Sequence, residues 1–180
     1  MPVTINGNGT ITGISAGGLP DGCITADDLA SGVGGKIIQH KIISKNSHSS
    51  TTGTTVVIIP NFSITITPIA SDSTMVVEAN MFYSLDNNVI CTRIHNGTSF
   101  LLSPSAFPGN NHQNGSSNVY FNREFMIQQH ITAFETSGNT NARTYNVYWS
   151  VTGGTAYINR FYNSDNYNAV STLRVTEVAA

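Results

Sequence analysis

From Lys36 onward the large apolar residues recur at every second position, which is the spacing of a strand with one buried face and cannot make the stripe of a helix. The clearest run is 74–84, where Met75, Val77, Ala79, Met81 and Tyr83 share one side and Glu78, Asn80 and Ser84 the other. Phe62, Ile64 and Ile66 alternate in the same way with Ser63, Thr65 and Thr67, and Tyr145, Val147, Trp149 and Val151 with Thr144, Asn146 and Ser150. Further strands are expected over 36–45, 54–59, 89–95, 124–134, 155–162 and 170–178. The stretches between them are built of turn formers, among them Asp86-Asn87-Asn88, Asn96-Gly97-Thr98, Ser137-Gly138-Asn139 and Gly153-Gly154. About eight or nine short strands with no helical pattern among them predict an all-β fold, an antiparallel two-sheet β-sandwich of jelly-roll type.

Residues 1–35 have a different character. Glycines are frequent and the apolar residues stand singly, so this stretch cannot enclose a core of its own. At most a turn or two of helix is expected at 25–31, capped by Thr25, favoured by Asp27 and Asp28 near its positive end and stopped by Gly32. The reading is therefore an extended N-terminal attachment segment, 1–35, followed by a single head domain, 36–180. Ile5, Ile11, Ile14, Leu19 and Leu29 are the side chains with which the segment would seat on another protein.

Several strands are apolar on their second face too: Val76 and Phe82 beside the Met75 series, Tyr148 beside Trp149, Met126 and Phe134 opposite Phe125, Ile127 and Ile131. A solitary sandwich presents a more polar exterior. Either loops cover these residues or neighbouring copies do, and the second alternative predicts a homotrimer.

Charge is scarce: Asp, Glu, Lys and Arg make up 10% of the chain, against about 25% in ordinary soluble domains. Asn, Ser, Thr and Gly, about two-fifths of the residues, must supply the wetted surface instead. With a net charge of −2 and a pI near 6.2, the chain has no means of neutralising a phosphate backbone or an anionic membrane, so neither nucleic acid nor membrane is an expected partner. No apolar run approaches the ~18 residues of a membrane span. Cys23 and Cys91 lie in regions of unlike character, so a disulfide is not expected and Cys91 reads as a small buried hydrophobe.

Catalytic patterns do not emerge. The ten acidic residues are scattered, and His40, His48, His95, His112 and His130 have no metal-ligand spacing. Nucleophile elbow, phosphate loop and dinucleotide fingerprint are all missing. The chain reads as a non-enzyme without catalytic residues, metal or cofactor. The one stretch with recognition chemistry is 161–168, where Tyr162 and Tyr167 could stack on sugar rings and Asn163, Asp165 and Asn166 bond their hydroxyls, making a host surface glycan the expected ligand; a hairpin anchored by its two tyrosines is the competing reading.

The N-terminal run Ile5-Asn6-Gly7-Asn8-Gly9-Thr10-Ile11-Thr12-Gly13-Ile14-Ser15-Ala16-Gly17-Gly18-Leu19-Pro20-Asp21-Gly22, with Ile24-Thr25-Ala26-Asp27-Asp28-Leu29-Ala30-Ser31-Gly32, is similar to the openings of fibre-like structural proteins of tailed bacteriophages, marine and cyanobacterial ones in particular. The ending Leu173-Arg174-Val175-Thr176-Glu177-Val178-Ala179-Ala180 resembles the last strand of their C-terminal domains, and Ile64-Thr65-Ile66-Thr67-Pro68, Met75-Val76-Val77-Glu78 and Arg93-Ile94-His95-Asn96-Gly97-Thr98 fall where that family has strands. The resemblance implies a trimeric β-sandwich head held on the virion by its N-terminus, contacting tail, neck or capsid proteins. The expected function is a short virion fibre contributing to host adsorption. A capsid decoration or cement protein that stabilises the head lattice is the alternative. The near absence of a shaft is a departure from longer fibres of the family.

Overall fold

The computed structural model of the chain describes residues 4–5, 11–12, 37–86, 88–101, 117–120 and 125–180. The chain divides into two compact units, Met1–Lys36 and Ile37–Ala180. In the first, β1 (Thr4–Ile5) and β2 (Ile11–Thr12) pair antiparallel, Ile5 opposite Ile11. The expected helical turn at 25–31 and the residues Ile14, Leu19 and Leu29 lie outside the described residues.

The second unit is all β among the described residues. Its strands are β3 (Ile37–Lys45), β4 (Ser49–Thr51), β5 (Val57–Ile66), β6 (Thr74–Leu85), β7 (Val89–His95), β8 (Phe100–Leu101), β9 (Ser117–Tyr120), β10 (Ile127–Thr136), β11 (Arg143–Val151), β12 (Ala156–Ile158), β13 (Arg160–Phe161), β14 (Ser164–Asn168) and β15 (Ser171–Val178). One sheet runs β3-β15-β6-β10, with β4 and β12 continuing the lines of β3 and β15; the other runs β5-β11-β7, with β8 and β9 along the far side of β7. All pairings are antiparallel, and successive long strands pass between the two sheets in the double Greek-key order of a jelly roll. The two-sheet sandwich read from the alternation is the fold.

The core lies where the inward faces meet. Met75, Val77, Ala79, Met81, Tyr83 and Leu85 of β6 are all at most 1% exposed, facing Tyr145, Val147, Trp149 and Val151 of β11. Tyr83 and Trp149 sit with ring centroids 6.0 Å apart. The Tyr83 hydroxyl donates to Met81 Sδ at 2.7 Å, so even this phenol has a partner in the interior.

Two expected strands, 54–59 and 62–67, are one strand, β5, folded around an irregularity. Ile58 pairs with Tyr148 and Ser63 with Asn146, so residues 59–62 stand opposite Val147 alone. Pro60 cannot donate to a ladder, and Asn61 takes a positive φ of 56°. The inserted residues shift the phase, which lets Ile59 and Phe62 both face inward while Pro60 and Asn61 face water. The expected strand 155–162 is likewise broken, into β12 and β13, at Asn159, which has φ 61°.

On this side of the sandwich, side chains of one sheet's edge strand cover the backbone of the other's. Gln39 Nε2 donates to the Thr67 carbonyl at 2.7 Å, Lys41 Nζ to Thr65 at 2.9 Å and Lys45 Nζ to Pro60 at 2.9 Å. The β3 register puts these three residues on its inward side, opposite Glu177, Val175 and Ser171. Burial holds the Lys45 ammonium below the usual lysine range.

Asn159 is fully buried and joins four segments: its side chain donates to Lys45 O at 2.6 Å and accepts from Ser171 Oγ, while its N–H donates to Phe82 O and its carbonyl accepts from Ala169. At the other end of the core lies Glu177, also fully buried. Its carboxylate accepts from the N–H groups of Ile69 (2.9 Å) and Ala70 (3.1 Å), from Ser73 Oγ (2.6 Å) and from Gln39 Nε2. Burial pushes this carboxyl up, but the bonds from Ser73, Gln39, Ile69 and Ala70 outweigh it and bring it down to about 2 from an ordinary 4.5.

Because the folded value is depressed, the contribution of Glu177 is fully present above pH 4.5 and disappears as the pH falls toward 2. Glu177→Gln should cost about 2–3 kcal/mol at neutral pH and flatten the acid limb of the stability curve in that window, as read by denaturant unfolding at several pH values. Asn159→Leu, which loses the side-chain bonds and strains a positive φ, should cost about 3 kcal/mol or more in the same assay.

Candidate interaction surfaces

The outward face of the first sheet can be written as rows set by strand register. His40, Thr176, Val76 and Phe134 form one row, Ile42, Arg174, Glu78 and Thr132 the next, and Ser44, Thr172, Asn80 and His130 the third. Arg174 grips Glu78 with Nε at 2.8 Å and Nη2 at 2.6 Å, the exchange expected of opposite charges directly across a ladder. His130 lies diagonally, 3.7 Å from the same carboxylate and 3.0 Å from Thr132 Oγ1, and Gln128 donates to Asn80 at 2.8 Å. These groups line a shallow depression of about 340 Å³. On either side of this polar centre stand two large apolar side chains in water, Ile42 at 57% exposure and Phe134 at 55%. Val76 and Phe82, also expected on this face, are half-buried.

The second sheet treats its outward aromatic residue differently. Tyr148 packs edge-on to Phe100 with centroids 5.3 Å apart, His95 lies 4.8 Å from Phe100 and 5.4 Å from Tyr148, and the Arg93 guanidinium sits 5.2 Å over the Phe100 ring. Here Tyr148 is covered by the chain's own side chains, whereas Ile58 opposite it on β5 stays 43% exposed. His95 is thereby an aromatic packing residue, with burial lowering its pKa. Nothing in its sequence spacing signalled this, since Phe100 reaches it only through the β7–β8 turn.

The stretch 161–168 is a β-hairpin rather than a loop, β13 pairing with β14 through Arg160 opposite Asn168 and Phe161 opposite Ser164. The Ser84 hydroxyl donates to Arg160 O at 2.7 Å, which lays the hairpin against the end of β6. Tyr162 turns its edge to Tyr157, centroids 6.1 Å apart, and Arg160 stacks on the Tyr157 ring at 4.7 Å. Tyr162 thus packs against Tyr157 of β12. Asn163 and Asn166 are exposed, while the side chains of Asp165 and Tyr167 lie outside the described residues. Among the described residues, Met126, Phe161, Asn166 and Asn168 line a concave dish of about 610 Å³. Of the expected binding residues whose side chains are described, Asn166 lines it and Tyr162 and Asn163 do not. Met126 arrives from before β10, a neighbour that no local pattern could supply.

At the opposite end of the core, Glu135 and Glu177 both stand across from Met75 in the strand register. This is the pair of carboxylates that the scattered acids concealed, and each is held by several hydrogen-bond donors. Glu135 accepts from Arg143 at 3.2 Å, Tyr145 Oη at 2.5 Å and Asn96 Nδ2 at 2.6 Å. Burial, followed by this carboxylate, raises the Tyr145 phenol well above its ordinary value. The arrangement closes the core's end with hydrogen bonds. Cys91 is 1% exposed, and burial raises its thiol pKa.

No protein-family model matches the chain, and no curated protein does. Among solved structures it is similar to the VP2 subviral particle of infectious bursal disease virus, with a TM-score of 0.35 and 11% identity over 80% of this chain and 38% of that one. It is similar also to the Gx strain of the same virus, at a TM-score of 0.34 and 11% identity over 80% of this chain and 39% of that one. The chain thus spans under two fifths of the length of the chains it matches.

Proposed function

We propose that this chain is a non-enzymatic virion structural protein, a short trimeric fibre held by residues 1–35 to tail, neck or capsid proteins and presenting the sandwich as a head that contributes to host adsorption. The observation that carries the reading is the polarity of the head. Ile37, where the sandwich begins, pairs with Val178 at the Thr74 end of the first sheet, whereas the 160–168 hairpin lies at the other end, beside Phe82 and Ser84. Eight residue steps along β3 separate the two ends, roughly 25 Å at strand rise. Ile37 at one end of the sandwich and a concave surface at the other fit a mount and a tip.

Trimer formation draws on Ile42 and Phe134. Their exposure beside the polar Arg174–Glu78–His130 centre, with half-buried Val76 next to Phe134, is what a subunit contact with an apolar margin would bury. Light scattering of the full chain should give the mass of three copies. The double substitution Ile42→Ser with Phe134→Ser should return the mass to one copy with little change in thermal midpoint, because neither side chain belongs to the core. Full chain should be retained on particles that lack the native protein, and residues 36–180 should not. Retention on isolated capsid shells alone would turn the reading to a decoration protein. A monomeric full chain would remove the trimer.

A further inference from the structure

We propose that the dish formed by Phe161, Met126, Asn166 and Asn168 binds a neutral pyranose, the terminal or penultimate ring of an uncharged saccharide. The proposal names a ligand class for the adsorption part of the reading above and rests on that reading for its setting.

Strand alternation sets one margin of the dish. In β14 the side chains of residues 166 and 168 project to the same side, so a two-residue step sets two exposed amides along one margin. Opposite them, Phe161 and Met126 are half-buried and give the dish an apolar floor. A pyranose matches this division, since one face of its ring is a patch of C–H bonds that stacks on an aromatic side chain, and its edge carries hydroxyls that each donate and accept. An amide does both as well and can satisfy a hydroxyl in either sense. The volume, about 610 Å³, falls in the ~300–1,000 Å³ range of small-molecule sites.

Electrostatics decide between neutral and charged sugars. None of the described lining residues carries a formal charge. Arg160, the nearest cation along the hairpin, lies over the Tyr157 ring at 4.7 Å. Against these four side chains an acidic sugar would lose hydration and gain no counter-charge. The purely apolar alternative, a leucine-like side chain from another protein, would fill the floor but bring nothing for the hydroxyl-matched rim. The hairpin is held for the task. Ser84 and the Tyr157–Tyr162–Arg160 stack fix it on the sheet, so the amides need little ordering on binding.

The test is saturation-transfer NMR and titration on the full chain with five probes: methyl β-glucopyranoside, methyl β-galactopyranoside, N-acetylglucosamine, glucuronate and N-acetyl-leucinamide. At least one of the three neutral sugars should bind, with saturation strongest on the ring C–H protons of one face. Phe161→Ala should weaken it about ten-fold, and Asn166→Ala and Asn168→Ala about five-fold each. The two asparagines are exposed, so their variants should keep the parent's mass and thermal midpoint, which preserves the test if Phe161→Ala misfolds. Binding by none of the neutral sugars, a preference for glucuronate or the leucinamide, or full affinity in both asparagine variants would overturn the proposal. Failure of the fibre reading is read separately, from mass and particle retention.

Discussion

Two stacked open sheets leave four edges, and an edge with unsatisfied N–H and C=O groups invites pairing with whatever strand passes by. The rest of this sandwich depends on how one side is closed. Gln39, Lys41 and Lys45 of one edge strand reach across to the carbonyls of Thr67, Thr65 and Pro60 on the other. Three side chains thus do for the backbone what a further strand would have done. They also bring two ammonium groups inward on an edge, a placement that opposes addition of a foreign strand because the charge would be stripped of water. The neighbouring irregularities follow from the same closure. The bulge at Pro60 offers Lys45 its carbonyl, and Asn159 in turn holds the Lys45 carbonyl.

This side of the molecule was also the hardest to read from sequence. The Met75 series was legible to the residue because β6 is a central strand with regular neighbours on both sides and no shift in its ten rungs to β10. The same alternation misled at Pro60, where apolar Ile59 and Phe62 are three apart and look like two strands. It misled again at Asn159, whose left-handed backbone looks like nothing more than one polar residue in an apolar run. Glu177 was visible only as an acid near the end of the chain. Its function as a buried clamp depends on Ile69, Ala70 and Ser73, about a hundred positions earlier, and local period carries no such information. The candidate dish shows the same division: composition singled out the stretch 161–168, while the residues described on the concave side are set by which face β14 presents and by Met126, just before β10.

Scarcity of charge and economy of burial are connected here. Few charged groups are present, and Glu177, Lys45 and the Glu135–Arg143 pair are each tied to several partners. The outward face of the first sheet uses its charges in the same concentrated way, with Arg174, Glu78 and His130 gathered at one point. Amides and hydroxyls meet water elsewhere. A surface of that kind attracts no partner from a distance, so any recognition it achieves must come from shape and short-range bonds after contact, with little dependence on salt.

The ladder between β3 and β15 has a mechanical meaning. Residues 37–45 run alongside 171–178 from one pole of the head to the other, antiparallel and almost without interruption. A pull on Ile37 directed away from the body lies along the strand, so the rungs of that ladder are strained together instead of parting one after another from an end. Such a pull is therefore borne by the whole length of β3 and handed to the middle of the sheet through β15. A sandwich built in this way resists being drawn apart from the end at which β3 begins.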